Sequence, residues 1–143
     1  MPANILLVDD EQGFVETLAK RVANRGLTVH TAMSGQEALD FLAKNHFVDV
    51  VVMDVKMPGI DGTETLQLIK SAHPLVEVIM LTGHATVESA IEGMKSGAFD
   101  YLMKPAELED LLVKVNEAYD KKQTHETKIL EARARHIVLR RGD

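Results

Sequence analysis

The sequence predicts an α/β fold in which one parallel β-sheet is covered by α-helices on both faces. Short apolar runs, such as Val50–Met53, show continuous rather than alternating hydrophobicity, which is typical of strands buried on both faces. Stretches with helical apolar spacing follow these runs, which gives five consecutive strand–helix units. Because crossovers between parallel strands are right-handed, the five strands are expected to form one sheet with helices on either side.

Local signals mark the first two strand–helix units. The apolar run 4–8 predicts a strand, and from Gln12 the apolar spacing becomes helical until Gly26 provides a glycine stop. Residues 27–32 alternate in polarity and predict the second strand. Ser34 begins a Ser-x-x-Glu sequence, the form of a capping box, directly ahead of the second helix.

Similar signals mark the other three units. Asp61 can cap the third helix, which the His73-Pro74 step ends, because a residue before proline disfavours helical geometry. Thr86 can cap the fourth helix, and Gly97 stops it. The remaining strands are predicted at 48–53, 76–82 and 99–103, and the last helix is predicted to begin at Glu107.

Composition narrows the class of protein. A chain of 143 residues with 45% hydrophobic content is sized for one globular domain. It has no cysteine, which excludes disulfides, thiolate catalysis and cysteine-ligated metals. No apolar run is long enough to span a bilayer, and the N-terminus lacks the pattern of a signal peptide. We therefore expect a soluble intracellular protein.

Charge is distributed unevenly along the chain. Residues 1–120 contain 9 Lys and Arg against 19 Asp and Glu, a net charge of -10, whereas residues 121–143 contain 7 against 3, a net charge of +4. This predicts a domain over 1–120 and a basic extension or linker over 121–143. The acidic domain argues against nucleic acid as its main ligand, since phosphate backbones require a basic surface.

Polar residues end four of the five predicted strands. Parallel strands share one direction, so these side chains are expected at one edge of the sheet, where open α/β sheets bind their ligands. They are Asp9, Asp10, Asp54, Thr82 and Lys104. Three carboxylates within ~5 Å of one another repel by roughly 3 kcal/mol per pair at an effective dielectric of ~20. Such a cluster favours a cation, and an oxygen-only ligand set suits Mg²⁺.

The same edge has the groups that phosphoryl transfer requires. A metal, an ammonium and a hydroxyl around a carboxylate can hold a phosphoryl group while charge spreads over its oxygens. Asp54 is the candidate acceptor, since a carboxylate that attacks phosphorus forms an acyl phosphate. Lys104 and Thr82 are candidates to bind the phosphoryl oxygens.

Five motifs, in this order, resemble the full motif set of the bacterial response-regulator receiver domain over roughly residues 3–120. They are Asp9-Asp10, Asp54, the following Val55-Lys56-Met57-Pro58-Gly59-Ile60-Asp61-Gly62, Thr82-Gly83, and Tyr101-Leu102-Met103-Lys104-Pro105. The resemblance implies a flavodoxin-like, doubly wound fold with strand order 2-1-3-4-5. It also implies that Asp54 accepts phosphate from the phosphohistidine of a histidine kinase or phosphotransfer protein.

The resemblance further implies roles for individual residues. Mg²⁺, for which Mn²⁺ can substitute, would be bound by Asp10 directly, by Asp9 mostly through water, by Asp54 and by the backbone carbonyl of Lys56. Lys104 and Thr82 would bind phosphoryl oxygens, and the Lys104-Pro105 peptide would be cis. Thr82 and Tyr101 resemble the switch pair of the family, which acts on the surface of the fourth helix, fifth strand and fifth helix. Lys56 and His84 resemble the positions that tune phosphoryl lifetime in the family.

Two rival functions are considered. In a Mg²⁺-dependent phosphohydrolase, Asp54 would be a turnover nucleophile, but there is no Asp-x-Asp pair at a strand end. In a phosphorylation-independent interaction module, the acidic residues would be missing, but they are present. We expect self-modification rather than enzymatic turnover.

A 3-4 apolar spacing continues beyond the predicted domain. It includes Leu108, Leu111, Val115, Ala118, Lys122, His125, Ile129, Ala132, His136 and Leu139. The last helix is therefore expected either to form a coiled-coil homodimer seam or linker, or to be a basic, frayed extension. The segments 83–85 and 94–101 resemble receivers of enhancer-binding transcription activators. The chain is expected to be a stand-alone receiver or part of a larger protein, and its output partner or domain stays open.

Overall fold

The structure, a computed structural model, describes residues 3–83 and 86–141. Strands and helices alternate along the chain, as the sequence predicts. The strands are β1 (Asn4–Val8), β2 (Thr28–Ala32), β3 (Val50–Met53), β4 (Glu77–Thr82) and β5 (Asp100–Met103). The helices are α1 (Gln12–Ala23), α2 (Gly35–Lys44), α3 (Gly62–Ala72), α4 (Val87–Lys95) and α5 (Leu108–Arg141).

The five strands form one parallel sheet in the order β2-β1-β3-β4-β5. This confirms the doubly wound, flavodoxin-like topology that the sequence motifs implied. The strand order reverses between β1 and β3, whose registers pair Ile5 with Val50 and Val8 with Met53. Ligands of doubly wound folds bind at the carboxyl ends of the strands next to this reversal, which is where Asp9 and Asp54 follow their strands.

Two apolar clusters lie on opposite faces of the sheet, because successive side chains of a strand point to opposite sides. Leu6 and Val8 of β1 pack with α2 and α3 on one face. Ile5 and Leu7 pack with α1 and α5 on the other. All four residues are buried, so β1 is covered on both faces, as its continuous hydrophobicity predicts.

The helix ends follow the predicted signals, except that the Glu37 carboxylate accepts from the N–H of Met33 and not from that of Ser34, so the predicted capping box is only half formed. The side chains of Ser34, Asp61 and Thr86 accept hydrogen bonds from backbone N–H groups three residues later, which caps α2, α3 and α4. Gly26 and Gly97 follow α1 and α4 with φ of 87° and 105°, a left-handed conformation in which glycine avoids the steric cost of a side chain. These signals set the loop lengths that bring the strand ends together.

The last helix runs without interruption from Leu108 to Arg141, through the change in charge near Asp120. The first part of the predicted apolar stripe, from Leu108 to Lys122, is buried against the domain itself. Beyond it, Ile129, Leu130 and Ile137 are exposed. Within residues 3–83 and 86–141, no helix combines the length and hydrophobicity that crossing a lipid bilayer requires.

Candidate functional site

The carboxyl edge of the sheet brings together side chains from four strands. Asp9 follows β1, Asp54 follows β3, Thr82 ends β4 and Lys104 follows β5. Asp9, Asp54 and Thr82 are buried, although each is polar. The Lys104 N–H donates to the backbone carbonyl of Thr82 at 2.8 Å, which extends the β4–β5 pairing to the edge of the site.

The Lys104 ammonium is the centre of this arrangement. Its Nζ lies 2.6 Å from Asp9 Oδ2, 3.7 Å from Asp54 Oδ2 and 3.6 Å from Glu11 Oε1. Its side chain is only 13% exposed, so these attractions are less screened by water than a surface ion pair would be. Lys104 therefore joins carboxylates from different parts of the chain into one charged cluster.

Burial and charge shift the pKa values of Asp9 and Lys104. Burial raises the pKa of Asp9 because it disfavours the charged carboxylate, and the hydrogen bond from Lys104 only partly opposes this. Burial also opposes the charged form of Lys104, but the hydrogen bond and the negative charge of Asp9 outweigh it and raise the pKa of Lys104. Lys104 alone therefore does not offset the cost of burying the charged Asp9 carboxylate. A bound cation would reduce that cost.

The backbone orients the Asp54 carboxylate. Its Oδ1 accepts a hydrogen bond of 2.7 Å from the N–H of Val55, and its Oδ2 is on the side of Lys104. The two oxygens therefore differ in their surroundings. Oδ1 is hydrogen-bonded to the loop after β3, and Oδ2 faces the Lys104 ammonium. An oriented carboxylate oxygen beside a cation is suitable for attack on phosphorus.

Three carboxylates form a group that could hold a metal ion. Oxygens of Asp9, Glu11 and Asp54 all lie within 4.8 Å of one another. Their hard oxygen donors fit Mg²⁺ or Mn²⁺, which favour carboxylates. Asp10 is exposed and does not belong to this group, and its assignment as a ligand stays a prediction.

Sequence reasoning did not single out Glu11. The signal that could have found it is local: Glu11 is the N-cap of α1 and has an extended backbone, with φ of -86° and ψ of 95°. Residues two apart in extended chain point to the same side, so Asp9 and Glu11 share a direction that Asp10 does not. The Glu11 N–H also donates to Asp9 Oδ1 at 3.0 Å, which holds the two residues together.

The remaining predicted residues surround this cluster. The Lys104-Pro105 peptide is cis, the form that the resemblance implied. The Tyr101 hydroxyl lies 3.0 Å from Ser89 Oγ of α4, which links β5 to that helix. Lys56 is exposed in the loop after β3, and the role of its carbonyl stays a prediction. His84 lies outside the described residues.

The backbone carrying Asp54 packs closely on the start of α3. A Cβ added to Gly62 would lie 2.1 Å from the Asp54 carbonyl oxygen and 2.7 Å from Val55 Cα, and both obstacles are backbone atoms. We predict that Gly62→Ala lowers the free energy of unfolding by about 2 kcal/mol or more, measured by urea denaturation.

Gly13 is the matched control for this substitution. It lies in α1, and a Cβ added there meets nothing within 4 Å. Gly13→Ala should therefore raise the free energy of unfolding by up to about 1 kcal/mol, since alanine restricts the unfolded chain more than glycine. Equal stability of the two variants would contradict the packing described for Gly62.

Comparisons with known proteins agree with this geometry. The family model described as the response regulator receiver domain matches residues 5–116. Regulatory protein AtoC of Escherichia coli (strain K12) is 40% identical over 114 residues, which cover 80% of this chain and 24% of AtoC. The DNA-binding transcriptional regulator NtrC of the same strain is 37% identical over 114 residues, with the same 80% and 24% coverage.

A solved structure is similar over its whole length. The response regulator receiver domain protein from Clostridium thermocellum has a TM-score of 0.82 and 39% sequence identity, covering 85% of this chain and 98% of that one. The curated relatives are longer, since the chain spans 24% of AtoC and 50% of a mycobacterial response regulator, MprA. The similarity therefore concerns one domain of those proteins.

Proposed function

This chain belongs to the response-regulator receiver family, with homologues of the NtrC and AtoC type, and from that premise we propose that it accepts a phosphoryl group on Asp54. The donor would be the phosphohistidine of a histidine kinase or of a phosphotransfer protein, in the bacterial cytoplasm. The observation that carries the proposal is the convergence of Asp9, Asp54 and Lys104 on one edge, with both carboxylates within 3.7 Å of the ammonium.

The proposed reaction forms one bond and breaks one. A carboxylate oxygen of Asp54 attacks phosphorus, the phosphorus–nitrogen bond breaks, and the imidazole leaves with the electron pair of that bond. Lys104 and the Thr82 hydroxyl would bind the equatorial oxygens, on which negative charge develops. A divalent cation held by Asp54 and neighbouring carboxylates would neutralise part of the charge of the incoming phosphoryl group.

The direct test is incubation with acetyl phosphate and Mg²⁺, followed by peptide mapping. One phosphoryl group on Asp54 is the expected result. The rival function, a phosphohydrolase, predicts multiple turnovers on a phosphate ester such as p-nitrophenyl phosphate. Stoichiometric modification without turnover would support a receiver, whereas sustained release of nitrophenol would support the enzyme.

We propose Thr82 and Tyr101 as the switch pair. The Tyr101 hydroxyl contacts Ser89, and Ser89 forms the capping box of α4 with Thr86. Movement of the Tyr101 ring would therefore break a contact at the N-terminus of α4, and Val87 and Ile91 of that helix are exposed to a partner. Such a local event can shift an interface between two arrangements. Lys56 and His84 are proposed to tune the lifetime of the phosphoryl group.

The C-terminal helix is proposed to connect this switch to a second copy of the chain. We assign the receiver to 1–120 and the linker to 121–143. Ile129, Leu130 and Ile137 expose 38%, 63% and 54% of their surface, and an unpacked helix is only marginally stable in water. A coiled-coil homodimer along the predicted stripe would cover Ile129, and light scattering before and after phosphorylation tests for it.

Substitution of two adjacent acids distinguishes the proposed metal ligands. Asp10→Asn is expected to weaken Mg²⁺ binding about 10-fold or more if Asp10 binds directly, as the resemblance implies. Glu11→Gln is expected to weaken Mg²⁺ binding more than Asp10→Asn does if the ion is held by Asp9, Glu11 and Asp54. Both variants keep side-chain size, so their Mg²⁺ titrations, followed by NMR, compare charge at neighbouring positions. Equal affinity in both variants and the wild type would contradict both assignments.

A further inference from the structure

An aromatic ring lies next to the Lys104 ammonium. The Nζ atom is 4.0 Å from the centre of the Phe14 ring, well within the range of a cation–π contact. Phe14 belongs to the first turn of α1, where it is partly buried against the apolar cluster shared by α1 and α5. The ammonium is thus close to three carboxylates and to one aromatic face.

The carboxylate contacts of Lys104 are the ones that a metal ion would compete for. Asp9, Glu11 and Asp54 are the partners of its ammonium, and they are also the group that could hold a cation. A cation bound there would weaken the attraction of all three for the lysine. The contact with Phe14 involves no metal ligand, so an ion bound to the carboxylates would not compete for it.

We propose that Phe14 is a positioning residue, which keeps the Lys104 ammonium at the phosphorylation site when the acidic residues bind metal. This inference rests on the proposed function of Asp54. The ring confines Nζ close to Asp54 Oδ2, at 3.7 Å, where a phosphoryl oxygen would meet it. Phe14 also lines, with Asp9 and Asp54, a narrow apolar cleft beneath α1.

The aromatic face, and not only the volume of the side chain, is required. Leucine would fill most of the space but has no ring quadrupole to attract a cation, whereas tyrosine keeps the ring face. Phe14→Leu is therefore expected to lower the maximal rate of phosphorylation by acetyl phosphate at saturating Mg²⁺ by about 10-fold. Phe14→Tyr should stay within about twofold of the wild type, since its ring retains the contact.

A spectroscopic measurement tests the contact without phosphorylation. In the metal-free wild type, NMR should show the ε-methylene protons of Lys104 shifted upfield by the ring, relative to those of the exposed Lys44. The shift should persist in Phe14→Tyr and disappear in Phe14→Leu. Absence of the shift in the wild type would overturn the proposal, whatever the stability of the variants.

Phe99→Leu is the matched control. Phe99 is partly buried in the same apolar cluster but precedes β5, at the opposite edge of the sheet, so its loss should reduce stability and leave the phosphorylation rate unchanged. A Phe14→Leu protein that is phosphorylated at the wild-type maximal rate overturns the positioning role alone. Failure of the wild type to form the Asp54 adduct overturns the proposed function itself.

Discussion

Asp54→Asn is expected to abolish phosphorylation of this chain by acetyl phosphate, with the rate falling by about 1,000-fold or more. The amide has nearly the shape of the carboxylate, and its oxygen can still accept the hydrogen bond that Val55 N–H gives to Oδ1 at 2.7 Å. What the variant loses is the anionic nucleophile next to Lys104. The measurement is the rate of adduct formation followed by intact mass, with peptide mapping of any residual product.

Asp61→Asn is the matched control, because it makes the same chemical change seven residues away in the loop that follows Asp54. Asp61 caps α3 by accepting a hydrogen bond from Glu64 N–H, and asparagine is an equally good N-cap. This variant should fold and become phosphorylated as the wild type does. A phosphoryl adduct that survives in Asp54→Asn and maps to another carboxylate would move the acceptor elsewhere and contradict the proposed mechanism.

The sequence predicted those features that depend on the direction of the strands. Asp9, Asp54 and Lys104 are separated by up to 95 residues, yet each directly follows a parallel strand, so topology alone is sufficient to bring them to one edge. The caps of α2, α3 and α4 were equally predictable, because a cap depends only on neighbouring residues. The positions of the strand-end residues are imposed by the whole sheet, and the caps depend on local interactions.

The features that escaped prediction depend on side-chain direction. Glu11 joins the acidic group because the chain stays extended up to the N-cap of α1, whereas the pattern alone suggested that the adjacent pair Asp9-Asp10 would act together. The contact between Phe14 and Lys104 has the same origin, since apolar spacing identifies Phe14 only as part of a helix face. The domain boundary near Asp120 stays a prediction, and α5 runs through that position, as the apolar spacing beyond the domain allowed.

Two lysines that follow Asp120 are tied to the amino edge of the sheet. Lys122 Nζ donates to Asp49 Oδ1 at 2.9 Å, and Asp49 Oδ2 accepts from the N–H of Asn4 at the start of β1. Lys121 lies 3.3 Å from Glu77, the first residue of β4. The start of α5 follows Lys104 at the carboxyl edge, so α5 crosses the whole face and is held at the edge opposite the site.

Lys122→Met is expected to lower the free energy of unfolding by about 3 kcal/mol, because it leaves the buried Asp49 carboxylate without its cation. Methionine keeps the volume of the side chain, so the loss reports charge. Burial opposes the charge of Lys122, but hydrogen bonds to Glu126 and Asp49 outweigh it and raise its pKa above the ordinary 10.5. The contribution of the charged Lys122 to the free energy of unfolding is thus fully present at neutral pH. It is lost as the pH rises past 10.5 through the raised pKa of Lys122. Urea denaturation at pH 7 measures it.

Two further variants separate this ion pair from general destabilisation. Lys121→Met should cost about 1 kcal/mol or less, because Lys121 is 46% exposed and Glu77 keeps Lys70 at 3.4 Å. Asp49→Asn combined with Lys122→Met should recover much of the loss, since no buried charge remains unpaired. Equal costs for both lysines would contradict a specific role for Lys122. If Lys122→Met loses amide protection after Ala118 but Asp54 is still phosphorylated at the wild-type rate, the two ends of α5 are energetically separable.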